Sequence, residues 1–393
     1  EMCIRDRYRK DVHGFLPEMM QKIYDERVQS KKLMLIAKQE YEKAPSNELE
    51  KAISKYNNIQ MARKIQLNSA YGAIGNQYFR YYNIINAEAI TLSGQVSIRW
   101  IENKVNGYLN KLLNTSKKDY VIASDTDSIY LCLDKLVTTV YGDQEVSQEK
   151  VVNFLDKACK EKIEPFIDKS YNELAEYTNA YEQKMFMKRE NIANRGIWTA
   201  KKRYILNVWD SEGVRYNKPK LKMMGIEAVK SSTPAPCRTA IKDALNIMMS
   251  GEQDDLLSFI DKFRDEFNSL PPEDIAFPRS VNGLRKFKSD TDVYSKGCPL
   301  HVRGSLLYNF YVSQKELENK YPLIQEGEKI KYIYLKTDRS NWTRENVISF
   351  LNTFPRELGM EQFLDRKAQF QKAFLDPLQT VSYTHLTLPT ILS

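Results

Sequence analysis

The amino-acid sequence predicts an α+β protein in which long helices accompany a central sheet. Three observations predict it. Two helix-period stretches meet at a break near Pro45, short apolar strands flank an acidic tripeptide at Asp125, and helical patterns resume after Thr233-Pro234.

From Phe15 to about Glu42 the chain has no Gly and one early Pro, and Met20, Ile23, Tyr24 and Val28 recur at helical spacing. Ala44-Pro45-Ser46-Asn47 breaks this helix. A second pattern (Leu49, Ile53, Tyr56, Ile59) runs from Glu48 to Tyr71 and closes at Gly72, so the pair forms an antiparallel hairpin. Asn86 to Lys111 reads as a third helix, leading to strands at Tyr120–Ala123 and Ile129–Leu133. One helix is expected over Ser147 to Ala180, then strands at Lys184–Arg189 and Tyr204–Asp210 with a turn at Gly213. Thr233 as N-cap and Pro234 at the first helical position start a helix that Gly251 ends. Asp255 to Leu270 forms another. An irregular basic stretch (Arg279 to Arg303), a strand near Lys329–Leu335 and a helix near Gly359–Leu375 complete the pattern.

The 393 residues carry 59 Lys and Arg against 51 Asp and Glu, a net charge of +8. With 42% hydrophobic residues the chain can bury a sizeable core, which excludes disordered and collagen-like classes, and its length predicts two or more domains. No uninterrupted apolar run approaches the ~20 residues of a membrane-spanning helix, so no membrane partner is expected. Cys132, Cys159, Cys237 and Cys298 are scattered without a Cys-x-x-Cys pair, which predicts neither a zinc site nor a disulfide framework and suits a reducing compartment.

The two ends are related in an unusual way. Glu1-Met2-Cys3-Ile4-Arg5-Asp6 can be encoded by GAG ATG TGT ATA AGA GAC, whose reverse complement translates into Val381 to Leu386. An inverted repeat of this kind has no folding rationale and resembles a transposon end used in sequencing adapters. Residues 1–7 and 381–393, with Cys3 and His385, are therefore expected to carry neither fold nor function, and the natural protein is expected to be longer.

Asp125-Thr126-Asp127 offers two carboxylates at i and i+2, one face at strand periodicity. Adjacent carboxylates repel unless a divalent cation neutralises them, which makes Mg²⁺ the natural partner. The tripeptide alone also suits an ordinary turn. Lys64, Asn68 and Tyr71 share one helical face, and Gly72 permits close approach beyond it. Arg27 and Lys31 lie on the first helix. A midpoint for Arg27 and Lys64 falls between Pro45 and Ser46, so both stand at one level of the hairpin and three cations converge, suited to a triphosphate. Residues 184–230 hold 12 Lys or Arg against Glu190, Asp210, Glu212 and Glu227, interleaved with Trp198, Tyr204, Trp209 and Tyr216, a composition suited to a nucleic-acid backbone. Residues 279–303 add six cations against Asp290 and Asp292.

Lys64-x-x-x-Asn68-Ser69-x-Tyr71-Gly72, Asp125-Thr126-Asp127-Ser128 and Lys201-Lys202-Arg203-Tyr204, in this order, resemble the successive motifs of family B DNA polymerases. The strings Gly72 to Tyr82 and Lys220 to Pro234 resemble the T-even-phage branch. The resemblance implies a hand-shaped α+β fold: residues 8–14 end an N-terminal part of the palm, 15–72 form helical-hairpin fingers, 73–232 an antiparallel-sheet palm, and 233–380 a mainly helical thumb. It implies deoxynucleotide addition to a primer 3′ end by phosphoryl transfer with two Mg²⁺ ions, in viral DNA replication within an infected bacterium's cytoplasm.

By the same resemblance Arg27, Lys31 and Lys64 would hold the incoming deoxynucleoside triphosphate, and Asn68 and Tyr71 would line the base-pair pocket. Asp127 would bind metal, with Asp125 as a second catalytic carboxylate or a support to it. Gly72, Thr126, Lys201, Lys202, Arg203 and Tyr204 would contact primer-template DNA. Phe374-Leu375-Asp376-Pro377-Leu378 resembles the stretch before a sliding-clamp-binding tail. Two departures stand out. Ala123-Ser124 replace the family's Tyr-Gly before the acidic motif, and the family's Asp-x-x-Ser-Leu-Tyr-Pro-Ser carboxylate and proofreading exonuclease are not found. The chain is therefore expected to bind DNA and nucleotide without efficient extension. The alternatives are a catalytically inactive DNA-binding scaffold and an RNA-directed polymerase, against which the fingers spacing argues.

Overall fold

A computed structural model describes residues 11–142, 144–250, 253–289 and 291–382. The expectations for residues 1–10 and 383–393, for Cys3 and His385, for Gly251 and for Asp290 lie outside these. The described residues divide into two compact units, one from 11–194 with 208–220, the other from 195–207 with 221–382.

The first unit opens with α1 (Phe15–Lys43) and α2 (Asn47–Ile74), the expected hairpin. Ser46 caps α2 by accepting from the Leu49 N–H at 3.2 Å, which satisfies one of the donors a helix start leaves unpaired. The helix continues past Gly72 to a cap at Gly75, because neither Gly72 nor its neighbours interrupt the backbone ladder. The apolar repeat of α1 is not its buried face: Tyr24 and Val28 are exposed, whereas Met34 and Ala37 are buried. Asn83 caps α3 (Ile84–Leu112), whose C-terminal half places Ile101, Val105 and Leu109 in the core at four-residue spacing.

Strands β1 (Val121–Asp125) and β2 (Ser128–Leu131) form an antiparallel pair, followed by α4 (Asp134–Tyr141). The single helix expected over 147–180 is α5 (Gln148–Ala158), a π-helical turn (Cys159–Ile163) and α6 (Glu164–Tyr177). Pro165 lacks an N–H and crowds the carbonyl four residues earlier, and the wider turn accommodates it. Cys159, Ile163, Ile167, Tyr171 and Leu174 complete this core with α3.

Residues 184–189 are not a strand. Gln183 occupies the Met185 amide and carbonyl, and Glu164 accepts the Arg189 N–H at 2.9 Å, so the backbone is satisfied by side chains rather than by a ladder. The strand comes later, as β3 (Asn191–Ala200), followed by β4 (Arg203–Ser211) and β5 (Val214–Met224) in the order β3-β4-β5. Two-residue turns join them, which only antiparallel neighbours allow. The chain passes from one unit to the other within these strands.

The second unit contains α7 (Ala235–Ser250), α8 (Gln253–Ser269), α9 (Pro272–Ile275), β6 (Phe277–Ser280), α10 (Leu284–Phe287), α11 (Leu300–Gln314), β7 (Lys329–Tyr334), β8 (Val347–Phe350), α12 (Arg366–Phe370) and α13 (Asp376–Ser382). Helix α7 starts at Ala235, one residue beyond the expected first position at Pro234. The sheet order is β6-β7-β8, both pairs antiparallel. Small separate sheets thus replace the expected central one.

Helix α11 lies against β8 and has Val302, Gly304, Ser305, Leu306, Leu307, Tyr308 and Val312 buried, so it shows no apolar stripe. A Cβ at Gly304 would come within 2.9 Å of the Ser349 amide nitrogen, so the contact requires glycine. The expected final helix is broken: Gly359 is left-handed, and Asp365 caps α12 through the Ala368 N–H. Phe374, Leu375 and Leu378 are core residues here, and Val381, beyond the expected boundary at 380, is fully buried with them.

Candidate polymerase site

The acidic motif occupies the tip of a hairpin. Apolar residues carry the chain into β1 and out of β2, Asp125 pairs with Ser128, and Thr126-Asp127 form the two-residue turn between them. The two carboxylates are therefore not alternate residues of one strand. Thr126 is left-handed (φ 56°), a conformation rare for a β-branched residue. The turn is tied by Asp127 N–H to the Asp125 carbonyl (2.7 Å), Ser128 Oγ–H to the same carbonyl (3.1 Å) and Thr126 Oγ1–H to Asp125 Oδ1 (3.0 Å). Asp127 is exposed, and among the described residues its carboxylate has no hydrogen bond or ion pair.

Its charge reaches the buried Tyr171. Burial, and secondarily that carboxylate, push the Tyr171 hydroxyl up to about 12. Among the described residues no three Asp, Glu, His or Cys side chains converge as a metal-ligand group. The donor chemistry of Asp125 and Asp127 fits a hard divalent cation, and the pair supplies part of a ligand set.

On the α1–α2 hairpin an Arg63–Glu26 ion pair (2.8 Å) crosses between the two helices at the level of Arg27 and Lys64. Arg27 Nε is buried without a hydrogen-bond partner among the described residues, whereas Lys64, Asn68, Tyr71 and Gly72 are exposed. A Cβ at Gly72 would meet nothing within 4 Å, so this face is open. Lys31 behaves differently, because it pairs with Glu212 in the β4–β5 turn. Gln39 Oε1 accepts the Arg215 N–H at 3.1 Å, and Glu42 pairs with Lys220, so α1 and that hairpin are tied at three levels. The sequence separation of these partners hides the contact from periodicity.

The cations of residues 184–230 lie in two kinds of surroundings. Arg189, its side chain 8% exposed, pairs with Asp156 and with the fully buried Asp210, and Arg215 Nε approaches Asp210 Oδ2 at 2.7 Å. These cations hold structure. Burial would raise the Asp156 carboxyl, but hydrogen bonds and charge from Lys160 and Arg189 hold it below the usual range. Burial likewise opposes protonation of Arg189, and the two aspartates outweigh it. Lys201 and Lys202, by contrast, form the exposed β3–β4 turn, with Lys202 left-handed (φ 61°). Arg203 beside them pairs with Glu227 at 2.6 Å, and Tyr204 is buried in the sheet.

No helix of the described residues is long and apolar enough to cross a membrane. Residues 4–373 match the model of DNA polymerase family B. The chain is 37% identical over 343 residues to the DNA-directed DNA polymerase of Enterobacteria phage T4, covering 84% of this chain and 37% of that protein. It is 40% identical over 285 residues to the DNA-directed DNA polymerase of Escherichia phage RB69, covering 70% of this chain and 31% of that protein. A DNA polymerase beta of African swine fever virus is 27% identical over 179 residues, or 44% of this chain and 14% of that protein. The chain thus spans about a third of the length of the phage relatives. On its motifs, its mixed helix-and-sheet architecture and the extent of these matches, the chain belongs to DNA polymerase family B.

Proposed function

We propose that this chain forms the nucleotide-handling and primer-handling portion of a DNA-directed DNA polymerase that extends a primer 3′ end. The observation that carries the proposal is the exposed Thr126-Asp127 turn beside Asp125, whose Asp127 carboxylate has no hydrogen-bond or ion-pair partner among the described residues. Asp127, with Asp125 beside it, would hold divalent cations, Mg²⁺ in the first place and two in number. Bound there, such ions supply charge neutralisation at the reacting phosphate and activation of the primer hydroxyl.

Arg27 and Lys64 bind the triphosphate of the incoming deoxynucleotide, Arg27 with a buried donor left available. Lys31 joins them when a phosphate replaces the Glu212 carboxylate as its partner. Asn68 and Tyr71 line the base-pair pocket, and Gly72 leaves room beside it. Lys201, Lys202 and Arg203 contact the primer-template backbone, and buried Tyr204 anchors their strand. Residues 15–72 then act as fingers, 73–232 as palm and 233–380 as thumb, in a phage-type replicative enzyme of an infected bacterial cell. The resemblance of Phe374–Leu378 makes a sliding clamp its further partner.

The test is primer extension by the purified chain with Mg²⁺ and four deoxynucleotides, with DNA binding measured alongside. Binding without efficient extension is expected, because two aspartates are part of a ligand set. Binding should weaken steeply as salt rises. Failure to bind primer-template DNA at low salt would overturn the reading. Extension that survives Asp127→Ala would overturn the metal assignment.

A further inference from the structure

Lys202 is left-handed, as Thr126 and Glu212 are in the other two-residue turns, a conformation that such tight hairpins favour. What sets the Lys201-Lys202 turn apart is a second segment packed against it, Gly225 and Glu227. Gly225 is itself left-handed (φ 67°), and a Cβ there would overlap the Lys202 carbonyl oxygen and stand 3.0 Å from Arg203 Cγ. The backbone of 225 therefore lies directly against the Lys202-Arg203 peptide, where no side chain fits.

Two residues on, Glu227 Oε2 accepts from Arg203 Nη2 at 2.6 Å, while Oε1 accepts from Lys230 Nζ at 2.8 Å. The shelf that presents these groups is fixed from below. Ile226 is fully buried and Ala228 is 1% exposed, both in the core of the second unit, so Gly225 and Glu227 alternate with anchored apolar residues.

We infer that Gly225 and Glu227 are positioning residues that set the pose of the Lys201-Lys202-Arg203 turn for nucleic-acid phosphates. The inference rests on the proposed DNA contact of that turn. Gly225 determines where the Lys202 carbonyl can sit. Glu227 holds the Arg203 guanidinium by one oxygen and leaves its remaining donors in a defined orientation.

This assignment makes a prediction opposite in sign to simple charge counting. Glu227→Gln removes a negative charge beside a phosphate-binding turn, so charge alone predicts tighter DNA binding and a steeper salt dependence. Positioning predicts weaker binding, by about five-fold, and a shallower salt dependence, because Arg203 loses its fixed orientation. Glu227→Asp should retain more affinity than Glu227→Gln.

The experiment titrates a fluorescent primer-template duplex with the 393-residue chain, its Glu227→Gln, Glu227→Asp, Gly225→Ala and Lys201→Ala variants, across a salt series, with thermal unfolding recorded for each. Expected are losses of affinity and of salt slope for Glu227→Gln and Gly225→Ala, with Glu227→Gln unfolding as the unmodified chain does. If Gly225→Ala does not fold, Glu227→Gln decides alone. Tighter or unchanged binding by Glu227→Gln, with Lys201→Ala weakened, would overturn the positioning role and leave the DNA contact standing. Unchanged binding by Lys201→Ala would overturn the DNA contact of the turn and the inference with it.

Discussion

Two hairpin tips of this molecule are built alike and supported differently. The β1–β2 turn, Thr126-Asp127, and the β3–β4 turn, Lys201-Lys202, each have two residues, and each holds a non-glycine residue left-handed, Thr126 at φ 56° and Lys202 at 61°. The acidic tip is tied by hydrogen bonds among residues 125–128. The basic tip has another segment behind it, with Gly225 against its backbone and Glu227 holding Arg203. On the proposed roles, a carboxylate turn gains further partners from the cations it would receive. A cationic turn that would meet a long polyanion gains by holding its orientation beforehand, since ordering long side chains costs about 1.5–2 kcal/mol each.

The largest expected effect separates the tips by chemistry. Asp127→Ala should lower any primer extension on the order of a thousand-fold while leaving primer-template affinity without metal unchanged or tighter. Substituting Lys201 should instead lower affinity. Equal losses of affinity in both would break the distinction.

The next effect concerns the β4–β5 tip, whose base carries the buried Asp210. Asp210→Asn leaves Arg189 and Arg215 short of a counter-charge and should destabilise the first unit by about 3–5 kcal/mol, read by denaturant unfolding. A change under about 1 kcal/mol would show that Asp156 alone satisfies both arginines.

The pH dependence sharpens the same contrast. Asp156 is held below its ordinary value in the folded chain, so the unfolded chain takes up its proton first as pH falls. Its contribution is complete above about pH 4 and is lost on further acidification through the lowered folded value. Unfolding between pH 5 and pH 3 should therefore show a loss of stability that Asp156→Asn reduces, measured by thermal melts.

The smallest effect is conformational. Thr126→Gly should relieve left-handed strain of about 1 kcal/mol, and the loss of the Thr126–Asp125 hydrogen bond offsets part of it. Lys202→Gly should relieve a similar strain but remove the proposed phosphate contact, so the two variants should part in DNA affinity rather than in melting temperature.

Much of the fold is legible in the sequence. The α1–α2 hairpin followed from the Ala44–Asn47 break between two helical patterns, and the acidic turn from apolar residues on either side of Asp125. Helix α11 was not, because burial on all sides leaves no stripe to count. Strand β3 was hidden because Asn191, Asn194 and Arg195 interrupt alternation and Gly196 makes room for the Trp198 ring. The strand expected at 184–189 was misled by Met185 and Met187, whose alternation is satisfied without a ladder. Among the site residues, the sequence marked Lys31 and Arg203 as cations but not Glu212 and Glu227 as their partners.

By itself the sequence determined which residues carry charge, where the backbone must turn and which local patterns make helices, since these depend on neighbours within a few positions. It also determined the family, through motifs kept in order. Only the tertiary structure decided which cations of the basic run are structural and which are exposed, for Arg189 and Lys201 look alike in the chain. It also decided that Gly225 must be glycine because the Lys202 carbonyl lies against it. Those distinctions rest on burial and on partners far away in sequence, and packing in three dimensions is what brings a distant carboxylate or carbonyl within reach.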